Sequence, residues 1–97
     1  MSEVDKLRID VWLWRARFFK TRSLATRFLA GTRTRLTRHG QTRLVGKTAS
    51  FIMPGDRLTL PLKSGIVHLE ILELGYRRGP PAEAQALYER LELSVGD

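Results

Sequence analysis

Cysteine is absent from all 97 residues. That excludes disulfides, thiolate nucleophiles and cysteine-ligated zinc. Histidine occurs only at His39 and His68. Zinc needs three or four ligands and nucleophilic catalysis needs an oriented base, so two distant histidines support neither. No apolar run approaches the roughly 20 residues that span a bilayer. Residues Met1–Lys6 hold no apolar signal core. A cytoplasmic protein with no membrane partner, no metal and no cofactor is expected. The absence with most consequence concerns one sign of charge: there is no Asp or Glu between Asp10 and Asp56.

What fills that interval is arginine. The formal net charge is +7, and it is unevenly spread. Residues 1–47 carry 12 Lys and Arg against 3 Asp and Glu, a surplus of nine; residues 48–97 carry 5 against 7, a deficit of two. The stretch Lys20–Lys47 holds Lys20, Arg22, Arg27, Arg33, Arg35, Arg38, Arg43 and Lys47 with no acid to screen them. Such a block repels itself, so an anionic partner is expected to compensate it. A basic half joined to a slightly acidic half points to one binding face. Nucleic acid is the first candidate, because the arginine fork donates paired hydrogen bonds to phosphate.

The length fits one domain. Residues 1–6 read as a flexible N-terminus, 7–62 as the binding domain, and 63–93 as a strand and C-terminal helix completing it. Ile9, Trp12, Leu13 and Ala16 recur at helical spacing and predict a helix over Leu7–Phe18. Arg8 and Arg15, seven apart, share a second face of it. Trp12 reads as core; Trp14 lies off the stripe, as a second packing contact or an exposed ring. Thr21 can cap a second helix, Arg22–Ala30, that stops at Gly31. Leu24, Ala25, Phe28 and Leu29 are its expected buried side. Arg33–Arg38 alternates, with Thr34, Leu36 and Arg38 pointing one way, which favours a strand. His39-Gly40-Gln41 reads as a turn and Thr42–Val45 as the returning strand, making an arginine-bearing hairpin. Pro54-Gly55-Asp56 is a turn, Arg57–Leu62 a strand, Lys63–Gly65 a turn, and Ile66–Leu74 the longest strand. Residues 75–81 form a stiff linker before a helix over Ala82–Leu93, whose apolar stripe is Ala84, Leu87, Tyr88 and Leu91. The fold class is α+β: two N-terminal helices packed on a bent antiparallel sheet of about four strands, with a short C-terminal helix.

Gly46-Lys47-Thr48 resembles the end of a phosphate-binding P-loop, but five residues separate Gly40 from Gly46 where the motif needs four, and no helix follows. His39 reads as a turn residue facing RNA or solvent, and His68 as structural. Asp10 is the one acid of the helix pair, and pairing with a nearby arginine, holding it for RNA, suits it better than general-base work. The N-terminus of the second helix at Lys20-Thr21-Arg22 is the expected phosphate position. Arg77 and Arg78 read equally as an extension of the basic face or as partners of Glu83 and Glu89.

Several blocks resemble a known family. Residues 8–14 (RIDVWLW), Ala16-Arg17-Phe18 and 20–25 (KTRSLA) are similar to the opening of the S-four-type RNA-binding domain, the αL motif. Within that family the resemblance is to the ribosome-associated fifteen-kilodalton heat-shock proteins. It continues through 54–58 (PGDRL), Arg77-Arg78-Gly79-Pro80 and 83–89 (EAQALYE), and so covers nearly the whole chain. The resemblance implies two short helices on a small bent sheet, with RNA against the helix pair and the following hairpin. It carries RNA contact to Arg8, Asp10, Arg17, Lys20, Thr21, Arg22, Arg35 and the turn before Gln41. Where the family hairpin reads Val-Arg-Val-Asn-Gly, Thr34–Thr37 fits the first part with Arg38-His39 inserted before Gly40, and Thr37 stands for the Asn. A second register on Thr42–Gly46 would replace it by Val45 and lengthen the second helix through Gly31; the first is preferred. The heat-shock proteins also carry a longer basic tail.

The combined candidate RNA-binding set is Arg8, Asp10, Arg15, Arg17, Lys20, Thr21, Arg22, Arg27, Arg33, Arg35, Thr37, Arg38, Gln41, Arg43 and Lys47. The expected function is a non-catalytic, monomeric protein docking on structured ribosomal RNA. By resemblance its partner is the large ribosomal subunit, free or stalled with peptidyl transfer RNA, in a heat-shock or ribosome-recycling role. The alternative is a targeting module or accessory subunit of an RNA-modifying enzyme. A DNA-binding helix-turn-helix is disfavoured, because no recognition helix with base-reading side chains is evident.

Overall fold

Alternating leucine, valine and isoleucine between residues 57 and 71 build the centre of the molecule. In a computed structural model, which describes residues 6–45 and 50–92, the elements are β1 (Leu7–Arg8), α1 (Ile9–Arg15), α2 (Arg22–Gly31), β2 (Arg35–Arg38), β3 (Gln41–Leu44), β4 (Phe51–Ile52), β5 (Arg57–Leu62), β6 (Gly65–Ile71), α3 (Pro81–Gln85) and β7 (Tyr88–Arg90). Strands β3-β2-β5-β6-β7 form one antiparallel sheet in that order, and β1 pairs β4 in a separate two-stranded ribbon. Leu36, Leu58, Leu60, Val67, Leu69 and Ile71 line one face of the sheet and share a buried cluster with Ile9, Trp12, Leu13, Ala25 and Leu29 of the helices. The opposite face carries Arg35, Thr37, Arg57, Thr59, His68 and Glu70, as strand alternation requires. Trp12 is wholly buried, and its Nε1 donates to the Glu73 carbonyl at 2.9 Å.

The α+β architecture stands, with corrections. The first helix is shorter than the periodicity predicts. Leu7 and Arg8 are extended, pairing with Ile52 and Phe51. At the other end Arg17 adopts φ 67°, Phe18 N–H bonds Leu13 O at 3.0 Å and Arg17 N–H bonds Trp14 O at 3.1 Å. This is a Schellman stop built without glycine, and so without its usual sequence signal. The second helix is capped as expected: Thr21 Oγ1 accepts the Leu24 N–H at 3.0 Å. Leu24, assigned to its buried side, is instead exposed, while Ala25 and Leu29 are buried.

The hairpin has its turn at His39-Gly40, with φ 52° and 78°, and pairs Arg38 with Gln41. Positive φ at both positions of a two-residue loop is the requirement that Asn-Gly meets. His39, and not Thr37 or Val45, therefore stands where a turn of this kind takes Asn.

The largest correction is at the C-terminal end. The helix predicted over Ala82–Leu93 is confined to Pro81–Gln85, and Tyr88–Arg90 is a fifth strand on β6. Leu87 carbonyl oxygen accepts from both Leu72 and Glu73 N–H, at 2.8 and 3.2 Å, which turns the chain onto the sheet. Pairing with an otherwise open edge of β6 outweighs the local helical preference of this segment. Lys47 and the predicted flexible residues 1–5 lie outside the described residues.

Candidate nucleic-acid interface

The basic residues acquire geometry from the β1–β4 ribbon and the start of α1. Ile9 N–H bonds Ser50 O at 2.8 Å, which fixes Arg8 at the entry to the helix. Arg8 then meets Asp10 through two hydrogen bonds, Nε to Oδ1 at 3.0 Å and Nη2 to Oδ2 at 2.7 Å. Asp10 is buried and also accepts the Val11 N–H at 2.8 Å and the Thr26 hydroxyl at 3.0 Å. Burial opposes its ionisation, but hydrogen bonds from Arg8, Thr26 and Val11 and the charge of Arg8 outweigh that and hold the carboxyl below its ordinary range. Asp10 so keeps its charge and holds Arg8 in one orientation.

An open groove of about 530 Å³ runs beside this pair, lined by Arg8, Asp10, Arg22, Ser23, Thr26, Arg27 and Ala30. Arg22 and Arg27 are exposed and face it from α2. Lys20 and Thr21 stand exposed at the N-terminus of the same helix. Its first turn holds no acidic side chain, so the positive end of the helix dipole is uncompensated. Arginines beside a helix N-terminus are a chemistry that suits phosphate oxygens.

The other predicted residues divide into three groups. Arg15 is turned inward: Nη1 donates to Gly75 O at 2.7 Å and Leu74 O at 3.4 Å. Burial and the nearby Arg22 charge lower its affinity for a proton. Arg38 is likewise a structural residue, bonded by Nε and Nη2 to buried Asp56 at 2.9 and 2.8 Å and by Nη2 to Phe51 O at 3.1 Å. Both guanidinium groups are therefore engaged by the chain's own oxygens, Arg15 by two carbonyls and Arg38 by a carboxylate and a carbonyl. Arg17 stays exposed while its Nε donates to Gly79 O at 2.7 Å.

In the hairpin, cross-strand partners share a face. Arg35 and Thr37 lie on the outer face of the sheet, where Thr37 and Thr42 hydroxyls meet at 2.7 Å. Gln41 and Arg43 lie on the helix side and line a second hollow of about 410 Å³ with Arg38 and His39. Arg33 is exposed at the approach to β2.

Sequence reasoning missed Ser23 and Thr26, although Thr26 follows Arg22 by one helical turn and could have been placed on its face. Arg77 and Arg78, left open above, are both engaged. Arg77 pairs with Glu83 through contacts of 3.0 and 2.6 Å, and Arg78 Nε donates to Trp14 O at 3.1 Å.

Among the described residues no cluster of His, Cys, Asp or Glu could hold a metal ion, and no helix is long and apolar enough to cross a membrane.

No protein-family model matches the chain. It is 34% identical over 98% of its length to a heat shock protein 15 homolog of Haemophilus influenzae, covering 68% of that protein. It is 33% identical over 93% of its length to heat shock protein 15 of Escherichia coli K12, covering 64% of that protein. The chain thus spans about two thirds of the length of these relatives. The solved structure of Vibrio cholerae heat shock protein 15 matches with a TM-score of 0.75 and 32% identity, over 94% of this chain and 87% of that one. That structure is trimeric, which overturns the expectation of a monomer. By the extent and level of these similarities, the chain belongs to the heat shock protein 15 family.

Proposed function

We propose that this protein binds structured ribosomal RNA without catalysing a reaction. The observation that carries the reading is the groove in which Arg8, locked by Asp10, faces Arg22 and Arg27 beside an uncompensated helix N-terminus. Arg8, Lys20, Thr21, Arg22 and Arg27 take phosphate oxygens; Gln41 and Arg43 extend the contact along the hairpin. Asp10 acts through Arg8. Recognition is by the shape and backbone of folded RNA, with no element among the described residues built to read base edges in a duplex. The family membership and the resemblance noted above favour the large ribosomal subunit, free or stalled with peptidyl transfer RNA, in the cytoplasm of a stressed cell. The trimeric relative supports self-association as part of this reading.

The test is co-sedimentation of the tagged protein with ribosomal particles from a lysate, resolved on gradients at low and high salt. Travel with the large subunit, lost as salt rises, is expected. Neutralising about six phosphates gives a log–log salt slope of roughly −4 to −5 on purified RNA. Protein that stays at the top of the gradient while binding other RNA would remove the ribosome from this reading.

A further inference from the structure

A third hollow opens on the other side of α2, where the helix passes the β5–β6 turn. It measures about 590 Å³, within the usual size range of small-ligand sites, and Phe19, Leu24, Phe28 and Leu62 form its apolar wall. Phe19 and Phe28 pack with centroids 4.9 Å apart and planes at 42°. Leu24, on the same wall, is 40% exposed. The rim carries two cations, Arg27 and Lys63, and none of the lining residues is acidic.

Arg27 lines this hollow and also the phosphate groove around Arg8 and Asp10. One guanidinium therefore stands between a polar, basic groove and an aromatic, apolar one. That juxtaposition matches a nucleotide whose phosphate and base go opposite ways. We infer that the hollow receives one unpaired RNA base, extruded from the strand whose phosphate Arg27 holds. The base packs on the Phe19–Phe28 wall, and Lys63 meets the next phosphate. Aromatic walls bind any base through its π-face, so the site selects for an unstacked nucleotide and not for sequence. The surrounding charge favours this occupant over an apolar protein segment, which would leave Arg27 and Lys63 without counter-charge.

The inference rests on the RNA reading above, and the experiment separates the two. The probes are two RNA duplexes of equal length, one fully paired and one with a single 2-aminopurine bulge. The bulged RNA is expected to bind about tenfold more tightly, with a change in 2-aminopurine fluorescence on binding. Leu24→Gln, uncharged and at an exposed position, is expected to abolish that preference and the fluorescence change while paired-duplex affinity holds within about twofold. Arg22→Ala is expected to weaken both RNAs alike. Equal affinity for both RNAs, with Arg22 still required, overturns the base site and leaves the RNA reading standing. Binding of neither RNA overturns both. Sedimentation velocity on Leu24→Gln adds a further arm: lost self-association with the bulge preference intact assigns the hollow to a second copy of the chain and overturns the inference.

Discussion

Two arginines in this protein are held by two buried carboxylates, and they do different things. Arg8 and Arg38 each reach their partner through Nε and Nη2, Arg8 to Asp10 and Arg38 to Asp56, with Nη2–Oδ2 distances of 2.7 and 2.8 Å. The difference lies in what surrounds each pair. Arg38 is 31% exposed, its Nη2 is shared with a backbone carbonyl, and Asp56 also accepts the Met53 N–H at 2.8 Å. That pair ties the hairpin to the Pro54-Gly55-Asp56 turn. Arg8 is 44% exposed and stands over a groove with two further arginines. Asp10 is bonded to α2 through Thr26, so the same chemistry that staples a hairpin in one place holds a cation beside an open groove in the other. A salt bridge does not announce its role; the neighbours of its exposed edge do.

Removing each carboxylate breaks this comparison open. Asp56→Ala is expected to cost about 3 kcal/mol in urea unfolding, the low end for breaking a buried pair because Arg38 is partly solvated. Asp10→Asn is expected to lower Tm by only about 5 °C and to weaken RNA binding about tenfold, since Arg8 loses its orientation. If Asp10→Asn destabilises the chain as much as Asp56→Ala does, or leaves RNA affinity unchanged, the division between the pairs fails. Arg22→Ala, at an exposed helical position, is expected to leave Tm unchanged, weaken RNA binding about fivefold and make the salt slope shallower by about one.

Acid sharpens the comparison further. The carboxyl of Asp10 sits below its ordinary range when folded, so the unfolded chain takes up its proton first. Its contribution to stability is present above the unfolded carboxylate value of about 3.9 and is lost as pH falls through the lower folded value. The stability gap between wild type and Asp10→Asn should close as pH drops below about 4 in urea titrations. The smallest effect concerns the hairpin that Arg38 staples. His39→Asn, at φ 52° before Gly40, should stabilise by about 0.5 kcal/mol, since Asn tolerates the left-handed region better. A destabilised variant would mean that the imidazole makes a contact worth more than the backbone relief.

Much of the candidate site was legible because charge and helical spacing are local properties. The acid-free window, the Thr21 cap and the exposed Arg22 and Arg27 follow from residue order, and so does the alternation that buries Leu58, Leu60, Val67, Leu69 and Ile71. The pairing of Asp10 with a nearby arginine was legible for the same reason, being two residues away from Arg8. The fate of Arg15 and Arg38 was not. Both sit in a basic run like the others, but their partners are the carbonyls of Leu74 and Gly75 and the carboxylate of Asp56, at sequence separations of 59, 60 and 18.

The sequence by itself determined the class of the fold, the sign of the charged face and the two helices that carry it, because periodicity and composition act over a few residues at a time. Only the tertiary structure decided which arginines stay outside. It also decided that Leu7–Arg8 is a strand, because β4 pairs it, and that Tyr88–Arg90 closes the sheet instead of extending a helix. In each case a backbone or side-chain partner distant in sequence supplies hydrogen bonds that outweigh a local preference of a fraction of a kcal/mol per residue, roughly the whole spread of ordinary helix propensities.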